Sequence, residues 1–323
     1  MSDVKGSILV TPRSLTRAGL EHVPELDPLR NAGYQLVSCT PGVAPEEHEL
    51  AALLPGAVGW LAGVEPISGS VLEQAPDLRV ISRNGTGTDN VDLPAAERLG
   101  ITVARAAGAN AQGVAELALT LALTCVRAVP WSSTSVKAGH WERWQGRELA
   151  DTAVGVVGLG AIGGRVARLF SAIGARVQGF DPYAPDSAFA VPTLEDAFRG
   201  ADVITLHAPP PADGRPLVTD ELLNLVEPGA VLINTARAAL VDDEMIRSAL
   251  ESGRLGAYAV DAFDTEPPEL TPLLGHPRVV ATPHIGGYTA ASVSRATADA
   301  VQNLLAALED HGAEPSLVGK ESR

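Results

Sequence analysis

Residues 152–170 read TAVGVVGLGAIGGRVARLF, and this stretch decides the fold. Its apolar start predicts a buried strand, and its end predicts a helix. Between them, Gly158, Gly160 and Gly163 form the pattern G-x-G-x-x-G. Glycines at this spacing tighten the turn, let a pyrophosphate approach the backbone, and let the helix pack on the strand. The stretch therefore predicts the first strand, turn and helix of a dinucleotide-binding domain.

An acidic residue follows at the distance that such a domain requires. Asp181 lies 18 residues after Gly163 (181 − 163) and directly follows a second apolar run. A carboxylate at this place accepts hydrogen bonds from the hydroxyls of the adenosine ribose. It would also repel a 2′-phosphate, so the sequence favours NAD over NADP.

Short apolar runs alternate with helix-length amphipathic segments along the whole chain, which is typical of parallel strands joined by crossover helices. The predicted class is α/β, with one series of strands before the glycine turn and a second series that begins with it. The first series is predicted at 7–10, 35–38, 57–61, 79–82 and 101–104, and the second at 152–157, 176–180, 202–206, 230–234, 256–260 and 279–281.

The domain organisation is predicted from two helices. The stretch VAELALTLALTCVRAV after Asn110 predicts a helix buried on nearly all sides, and we expect a domain junction within it. A last helix, 290–309, carries an apolar stripe although the second sheet is complete before it, so we expect it to return to the first domain. The substrate domain is then discontinuous, and the tail after Asp310 is expected to be polar and frayed. The predicted domains are 1–104 with 289–323 for the substrate and 105–288 for NAD.

Composition excludes several classes of function. The 323 residues include 24 Lys and Arg against 39 Asp and Glu, a net charge of −15 that repels nucleic acid and anionic lipid. Only two cysteines, Cys39 and Cys125, are present, too few for a disulfide framework or a thiolate metal site. No apolar stretch reaches the length of a membrane span. We expect a soluble cytoplasmic protein with no nucleic-acid partner, no membrane association and no metal.

Three candidate catalytic residues follow predicted strands of the second series. Arg237 lies in INTARAALVDDE, Glu266 in DAFDTEPP and His284 in TPHIGG. Because the carboxyl ends of parallel strands line one crevice, we expect the three side chains to converge there. A carboxylate beside a histidine stabilises the imidazolium, which suits a group that exchanges a proton with a carbonyl or hydroxyl oxygen. An arginine supplies a planar fork for a substrate carboxylate.

Together with SRNGTGTDNVDL (82–93), GANAQGVAELAL (108–119), SVKAGHWERWQGREL (135–149) and LHAPPP (206–211), these motifs resemble the D-isomer-specific 2-hydroxyacid dehydrogenases. The likeness covers almost the whole chain and is greatest to the short D-3-phosphoglycerate dehydrogenase-like branch. It implies two doubly wound parallel-sheet domains around a cleft, a flavodoxin-like substrate domain and a Rossmann NAD-binding domain. It also implies a homodimer that transfers a hydride between nicotinamide and C2 of a 2-hydroxy or 2-oxo acid.

The resemblance also implies a role for individual residues. Arg237 would bind and activate the substrate, Glu266 would pair with His284, and His284 would be the general acid and base. Trp141 and Trp144 would anchor a dimer arm. The implied cofactor-binding residues are Thr86, Gly158, Gly160, Ala161, Ile162, Gly163, Asp181, His207, Ala236, Asp261, Gly286 and Gly287, with Asp261 as the acceptor for the carboxamide and the His207 side chain mainly structural. The implied substrate-binding residues are Gly85, Gly87, Arg83, Arg105, Asn110 and Arg237.

The chain departs from phosphoglycerate dehydrogenases in the loop after its third strand. Those enzymes usually carry an arginine there that meets the phosphate, whereas this loop reads LAGVEPIS, and neither Ala62 nor Glu65 can bind a dianion. We expect Arg83 or Arg105 to supply the missing positive charge. Because the sequence ends at Arg323, we also expect no serine-feedback domain.

Several alternatives remain at this point. Formate dehydrogenases pair the histidine with glutamine, so Glu266 argues against them. Phosphite dehydrogenase shares the Arg, Glu and His set and is not separated by sequence. Hydroxypyruvate or glyoxylate reductases and dehydrogenases of a specialised phosphonate or hydroxy acid also stay open. A corepressor related to C-terminal-binding protein would bind NAD without turnover, but an intact Arg237, Glu266 and His284 set favours an enzyme.

Overall fold

A computed structural model of the chain describes residues 5–311. These residues divide into two compact units. The first unit takes the residues up to Asn110 and those from Ala290, and the second takes Ala111–Thr289. Segment 105–110 therefore groups with the first unit. The expected polar tail after Asp310 lies almost entirely outside the described residues.

The first unit is built on a five-stranded parallel sheet with the order β2-β1-β3-β4-β5. The chain moves outward from β1 to β2 and then returns past β1 to β3. The strand order thus reverses between β1 and β3, and in open α/β sheets the carboxyl ends of such a pair border a ligand crevice. The strands are β1 (Ser7–Val10), β2 (Gln35–Ser38), β3 (Ala57–Ala62), β4 (Val80–Arg83) and β5 (Thr102–Arg105).

Helices cover both faces of this sheet. One apolar cluster joins Ile8 and Leu61 of the sheet to Val301 and Leu304 of the C-terminal helix, and the Ser82 hydroxyl donates to the Ala300 carbonyl oxygen at 2.7 Å. Burying a side chain such as Leu304 contributes about 1.5–3 kcal/mol, so the last helix is an integral part of the first unit. The helices of the first unit, numbered along the chain, are α1 (Arg13–Ala18), α2 (Asp27–Asn31), α3 (Glu47–Leu53), α4 (Gly69–Leu72), α5 (Leu93–Arg98) and α12 (Ala290–Asp310).

The second unit is built on a six-stranded parallel sheet with the order β11-β10-β9-β8-β6-β7. Beyond β7, a further strand is reduced to one parallel bridge between Gly179 and Ala190. The segment after β7 thus pairs over too few residues to form a seventh strand. The strands are β6 (Ala153–Val157), β7 (Arg176–Phe180), β8 (Val203–Leu206), β9 (Ala230–Asn234), β10 (Leu255–Val260) and β11 (Val279–Ala281).

Three helices of the second unit begin where a polar side chain caps them. Thr193, Thr219 and Asp242 each accept a hydrogen bond from a backbone N–H in the first turn of the helix that follows. Such caps satisfy donors that the helix itself leaves unpaired. The helices are α6 (Ala111–Val126), α7 (Val129–Lys137), α8 (Gly163–Ala172), α9 (Leu194–Phe198), α10 (Asp220–Leu223) and α11 (Asp243–Glu251).

Helix α6 lies wholly in the second unit, so the junction expected within it falls before Ala111 instead. The reason is packing, because Ala118, Leu121 and Cys125 are buried in the same apolar cluster as Val154 of the second sheet. Within residues 5–311, no single helix is long and apolar enough to span a membrane, although the bent pair α6 and α7 passes that test together.

The α/β class and all eleven predicted strands are confirmed. Their ends shift by at most one residue, as for the strand predicted at 79–82, which the structure places at Val80–Arg83. These strands are buried runs between turn residues, the pattern that sequence identifies most directly.

Candidate active site

The glycine turn connects β6 to α8 in a space that admits no side chain at two positions. Gly158 has a φ of +88°, and a Cβ there would lie 2.7 Å from the carbonyl carbon and oxygen of His207. A Cβ on Gly163 would lie 1.8 Å from the carbonyl oxygen of Gly158. These two glycines therefore allow the strand, the turn and the helix to close onto one another.

The third glycine faces open space. A Cβ on Gly160 would meet no atom within 4 Å, and Ala161 beside it is exposed. Nearby, Nδ1 of His207 and Oγ1 of Thr235 are buried and have no hydrogen-bond partner among the described residues. They directly follow β8 and β9. An open turn at a helix N-terminus, with unpaired polar atoms at the same sheet edge, fits a bound dinucleotide.

The Asp181 side chain stabilises the glycine turn. Its Oδ2 accepts the backbone N–H of Leu159 at 2.8 Å, and its Oδ1 accepts that of Tyr183 at 2.8 Å. Each carboxylate oxygen can accept more than one hydrogen bond. Asp181 can therefore hold the turn and still receive a ribose hydroxyl, and its predicted cofactor role remains a prediction.

His284 and Glu266 are in direct contact. Nδ1 of His284 lies 2.5 Å from Oε1 of Glu266, and the two side chains are 50% and 42% exposed. With Nδ1 directed at a carboxylate, Nε2 is the ring nitrogen left to exchange a proton with a ligand. The pair thus has the arrangement of a general acid and base with its orienting carboxylate.

The strand register explains why Arg237 lies at the same edge of the second sheet as His284. Asn234, Val260 and Ala281 are register partners on the adjacent strands β9, β10 and β11. Arg237 and His284 each lie three residues beyond these partners (237 − 234 and 284 − 281). Neighbouring strands are about 4.8 Å apart, so the strands that carry the two residues are about 10 Å apart.

His284 has an unusual backbone conformation, and Asp261 holds the loop that carries it. His284 has a φ of +51°, the left-handed region, which costs a non-glycine residue roughly 1–2 kcal/mol. The Asp261 side chain, 2% exposed, accepts the Thr282 hydroxyl at 2.6 Å and the backbone N–H of Ile285 and Gly286 at 2.8 Å each. Sequence reasoning assigned Asp261 to the carboxamide and missed Thr282; both residues anchor the histidine loop.

In the first unit, two arginines hold the turn after β4. Arg83 is 6% exposed and donates to the carbonyl oxygens of Gly87 at 3.1 Å and Ala62 at 3.2 Å. Burial lowers the pKa of Arg83, while Glu65 acts in the opposite direction. The exposed Arg105 donates to the carbonyl oxygen of Thr86 at 3.4 Å. Both guanidinium groups therefore contact main chain of the turn predicted to bind substrate.

The predicted site residues thus form two groups, one in each unit. Oδ1 of Asn110 is buried without a hydrogen-bond partner among the described residues. The first unit carries Arg83, Gly85, Thr86, Gly87, Arg105 and Asn110; the second carries Gly158, Gly160, Ala161, Ile162, Gly163, Asp181, His207, Ala236, Arg237, Asp261, Glu266, His284, Gly286 and Gly287.

Within residues 5–311, no cluster of three or more His, Cys, Asp or Glu side chains could hold a metal ion.

Comparison with known proteins identifies the family. Residues 119–286 match the family model for the NAD-binding domain of D-isomer specific 2-hydroxyacid dehydrogenases. The chain belongs to this family. The glycine turn, Asp181 and the Arg237, Glu266 and His284 set all lie within the residues that match this model.

Two curated enzymes are similar over most of the chain. D-3-phosphoglycerate dehydrogenase of Mycobacterium tuberculosis is 36% identical over 82% of this chain and 52% of its own length. Hydroxypyruvate reductase of Thermotoga maritima is 33% identical over 80% of this chain and 87% of its own length. The chain thus spans about half the length of several phosphoglycerate dehydrogenases that it matches.

Two solved structures share the fold of the chain. A protein from Thermus thermophilus is 34% identical and superimposes with a TM-score of 0.81 over 94% of this chain and 97% of its own. D-2-hydroxyisocaproate dehydrogenase is 28% identical, with a TM-score of 0.79 over 97% of this chain and 98% of its own.

Proposed function

We propose that the protein is an NAD-dependent oxidoreductase that interconverts a D-2-hydroxy acid and the corresponding 2-oxo acid. The observation that carries the proposal is the 2.5 Å contact between His284 and Glu266 at the sheet edge where Arg237 also emerges. The open turn at Gly160, and the family to which the chain belongs, support NAD as the cofactor. NAD, when bound, accepts or supplies the hydride at C2.

The chain's own residues would handle the proton and the substrate. In oxidation, Nε2 of His284 takes the proton of the substrate hydroxyl, and Glu266 stabilises the resulting imidazolium. In reduction, the same nitrogen returns a proton to the carbonyl oxygen. Arg237 offers a guanidinium fork to the substrate carboxylate. In the first unit, we assign the backbone amides of Gly85 and Gly87 to binding of a substrate carboxylate, since glycine turns form anion-binding nests.

Replacing His284 tests the proposal. We expect His284→Gln to lower kcat for 2-oxo acid reduction by about 10²-fold or more, while the Kd for NADH stays within about twofold, because general acid–base groups contribute this much to rate. His48→Gln is the matched control, since His48 is also exposed and its Nδ1 lies 3.3 Å from Glu46. Turnover of His284→Gln close to that of the wild type would exclude His284 as the proton carrier.

Turnover measured with a panel of substrates separates the remaining alternatives. The similarity to phosphoglycerate dehydrogenases and to a hydroxypyruvate reductase directs the panel to phosphohydroxypyruvate, hydroxypyruvate and glyoxylate. Phosphite and phosphonate analogues test the related oxidoreductases. A corepressor-like binding protein would instead capture a partner in an NAD-dependent way with no turnover of any 2-oxo acid.

We also propose a cytoplasmic homodimer that binds neither nucleic acid nor membranes. Trp141 is 82% exposed and Trp144 is 44% exposed in a segment without regular structure, and large exposed aromatic side chains are typical of interfaces. We expect a dimer in analytical ultracentrifugation and a monomer for the Trp141→Ser, Trp144→Ser double variant. Tyr183→Ser, at another exposed aromatic position, is the control and should stay dimeric. The net charge of −15 supports the absence of polyanionic partners.

A further inference from the structure

A buried carboxylate lies where the first sheet would be expected to hold a ligand. Glu65 follows β3 and is 2% exposed. Its Oε1 accepts the hydroxyl of Thr11, the residue directly after β1, and the backbone N–H of Gly63 at 2.9 Å. Glu65 therefore links the carboxyl ends of β1 and β3, the two strands between which the strand order reverses. That reversal is the general ligand position in open α/β sheets.

The surroundings fix this carboxylate in place. Nε1 of Trp60 donates to Oγ1 of Thr11 at 2.9 Å, and Nδ2 of Asn90 donates to the main-chain oxygen of Glu65. A Cβ on Gly63 would lie 2.7 Å from Oε2 of Glu65, so the position needs glycine for the carboxylate to fit. The crevice between β1 and β3 is thus filled by a side chain that the fold holds from several sides.

The charge of Glu65 is poorly suited to an anionic ligand. Its side-chain hydrogen bonds in the described structure come from neutral donors, the Thr11 hydroxyl and the Gly63 amide. The buried Arg83 donates hydrogen bonds to the main-chain oxygens of Ala62 and Gly87, and its positive charge is already offset by Glu65. A phosphate or second carboxylate entering this crevice would therefore meet a carboxylate of like charge.

The distance from the Gly85 and Gly87 turn to the crevice between β1 and β3 matches the length of a substrate tail. The turn with Gly85 and Gly87 follows β4, which pairs with β3. One to two strand spacings, about 5–10 Å, separate that turn from the β1 and β3 crevice. A substrate whose carboxylate binds at the turn would bring the end of a three-carbon tail to this region. At an effective dielectric constant of about 20, two like charges roughly 6 Å apart weaken binding by roughly 10²-fold.

We propose that Glu65 is a specificity-determining residue that restricts the enzyme to 2-hydroxy and 2-oxo acids with a small, uncharged tail. It excludes tails that carry a phosphate or a second carboxylate. This inference rests on the proposed function, because it uses the Gly85 and Gly87 turn as the site of the substrate carboxylate.

The test compares two substrates that differ only in a phosphate. For the wild type, we expect kcat/KM with NADH to be about 10²-fold higher for hydroxypyruvate than for phosphohydroxypyruvate. Glu65→Gln, which keeps the shape and removes the charge, should reduce that ratio about tenfold or more. Glu97→Gln removes one charge from an exposed position of the same unit and should leave the ratio unchanged. Thermal unfolding checks that each variant is folded.

Binding measurements separate this inference from the proposed function. Isothermal titration of the NADH complex with phosphohydroxypyruvate should give a Kd at least about tenfold lower for Glu65→Gln than for the wild type, whether or not either protein turns it over. Absence of turnover with every 2-oxo acid would overturn the proposed function, while this titration still tests Glu65. A wild type that binds and reduces both substrates within threefold of each other overturns the role of Glu65, even if Glu65→Gln fails to fold.

Discussion

The buried carboxylate of Asp261 accepts the backbone N–H of Ile285, the residue directly after His284, at 2.8 Å. Gly286 and Thr282 donate to the same carboxylate. The histidine therefore sits at the tip of a loop whose two sides are attached to one side chain at the end of β10. Because Glu266 also follows β10, the loop anchor and the partner of the imidazole come from the same strand.

Replacing Asp261 separates loop anchoring from cofactor binding. In Asp261→Asn the side-chain amide presents its own N–H groups to donors, and each donor left unpaired costs about 1–3 kcal/mol. We expect kcat to fall about 10- to 100-fold, and backbone amide hydrogen exchange at Ile285 and Gly286 to accelerate in the protein without NADH. Asp186→Asn, at an exposed position, is the control. Loss of NADH affinity with unchanged exchange would instead support a direct contact between Asp261 and the carboxamide.

The glycine turn gives a prediction in which two similar substitutions have different effects. A Cβ on Gly160 meets nothing within 4 Å, whereas a Cβ on Gly163 would lie 1.8 Å from the Gly158 carbonyl oxygen. We expect Gly160→Ala to keep the Tm of the wild type and weaken NADH binding about tenfold or more, because the methyl group occupies the space of the pyrophosphate. Gly163→Ala should lower the Tm. Fluorescence titration and calorimetry measure the two effects.

Local patterns predicted the strands and the glycine turn, and they indicated the candidate catalytic set. Arg237, Glu266 and His284 could be grouped because each follows a buried apolar run, and parallel strands bring such positions to one edge. Two other features depend on contacts between distant segments. The burial of Glu65 requires Thr11, which is 54 residues away, and the loop of His284 requires Asp261, which lies 24 residues before Ile285. No local pattern encodes such pairs.

The edge of the second sheet beyond β7 also depends on a pairing that local sequence patterns do not predict. The sequence predicts six strands after residue 150, and the structure has six. A single bridge between Gly179 and Ala190 extends the sheet beyond β7. Residues 181–188 contain two prolines and two aspartates, so hydrophobic periodicity gives no signal for a pairing that depends on the Phe189 carbonyl oxygen and the Val191 amide.

His207 makes stability depend on pH. Burial lowers the pKa of His207 from 6.5 to about 3, and its Nε2 lies 2.8 Å from the Thr205 hydroxyl. Below pH 6.5 the unfolded chain binds a proton at this histidine that the folded chain does not bind until about pH 3. The unfolded state therefore holds more protons in this window, so stability rises with pH from 3 to 6.5 and falls as the pH is lowered.

We therefore expect the free energy of unfolding of the wild type to lose about 2 kcal/mol between pH 7 and pH 5 through His207 alone. Urea denaturation at the two values measures the loss, and in His207→Gln the difference between pH 7 and pH 5 should be smaller by that amount, whatever the stability of the variant at pH 7. His48→Gln removes an exposed histidine and should keep the wild-type difference. If His207→Gln and the wild type lose equal stability on acidification, the ring of His207 is protonated in the folded protein, and its unpaired Nδ1 is open to solvent.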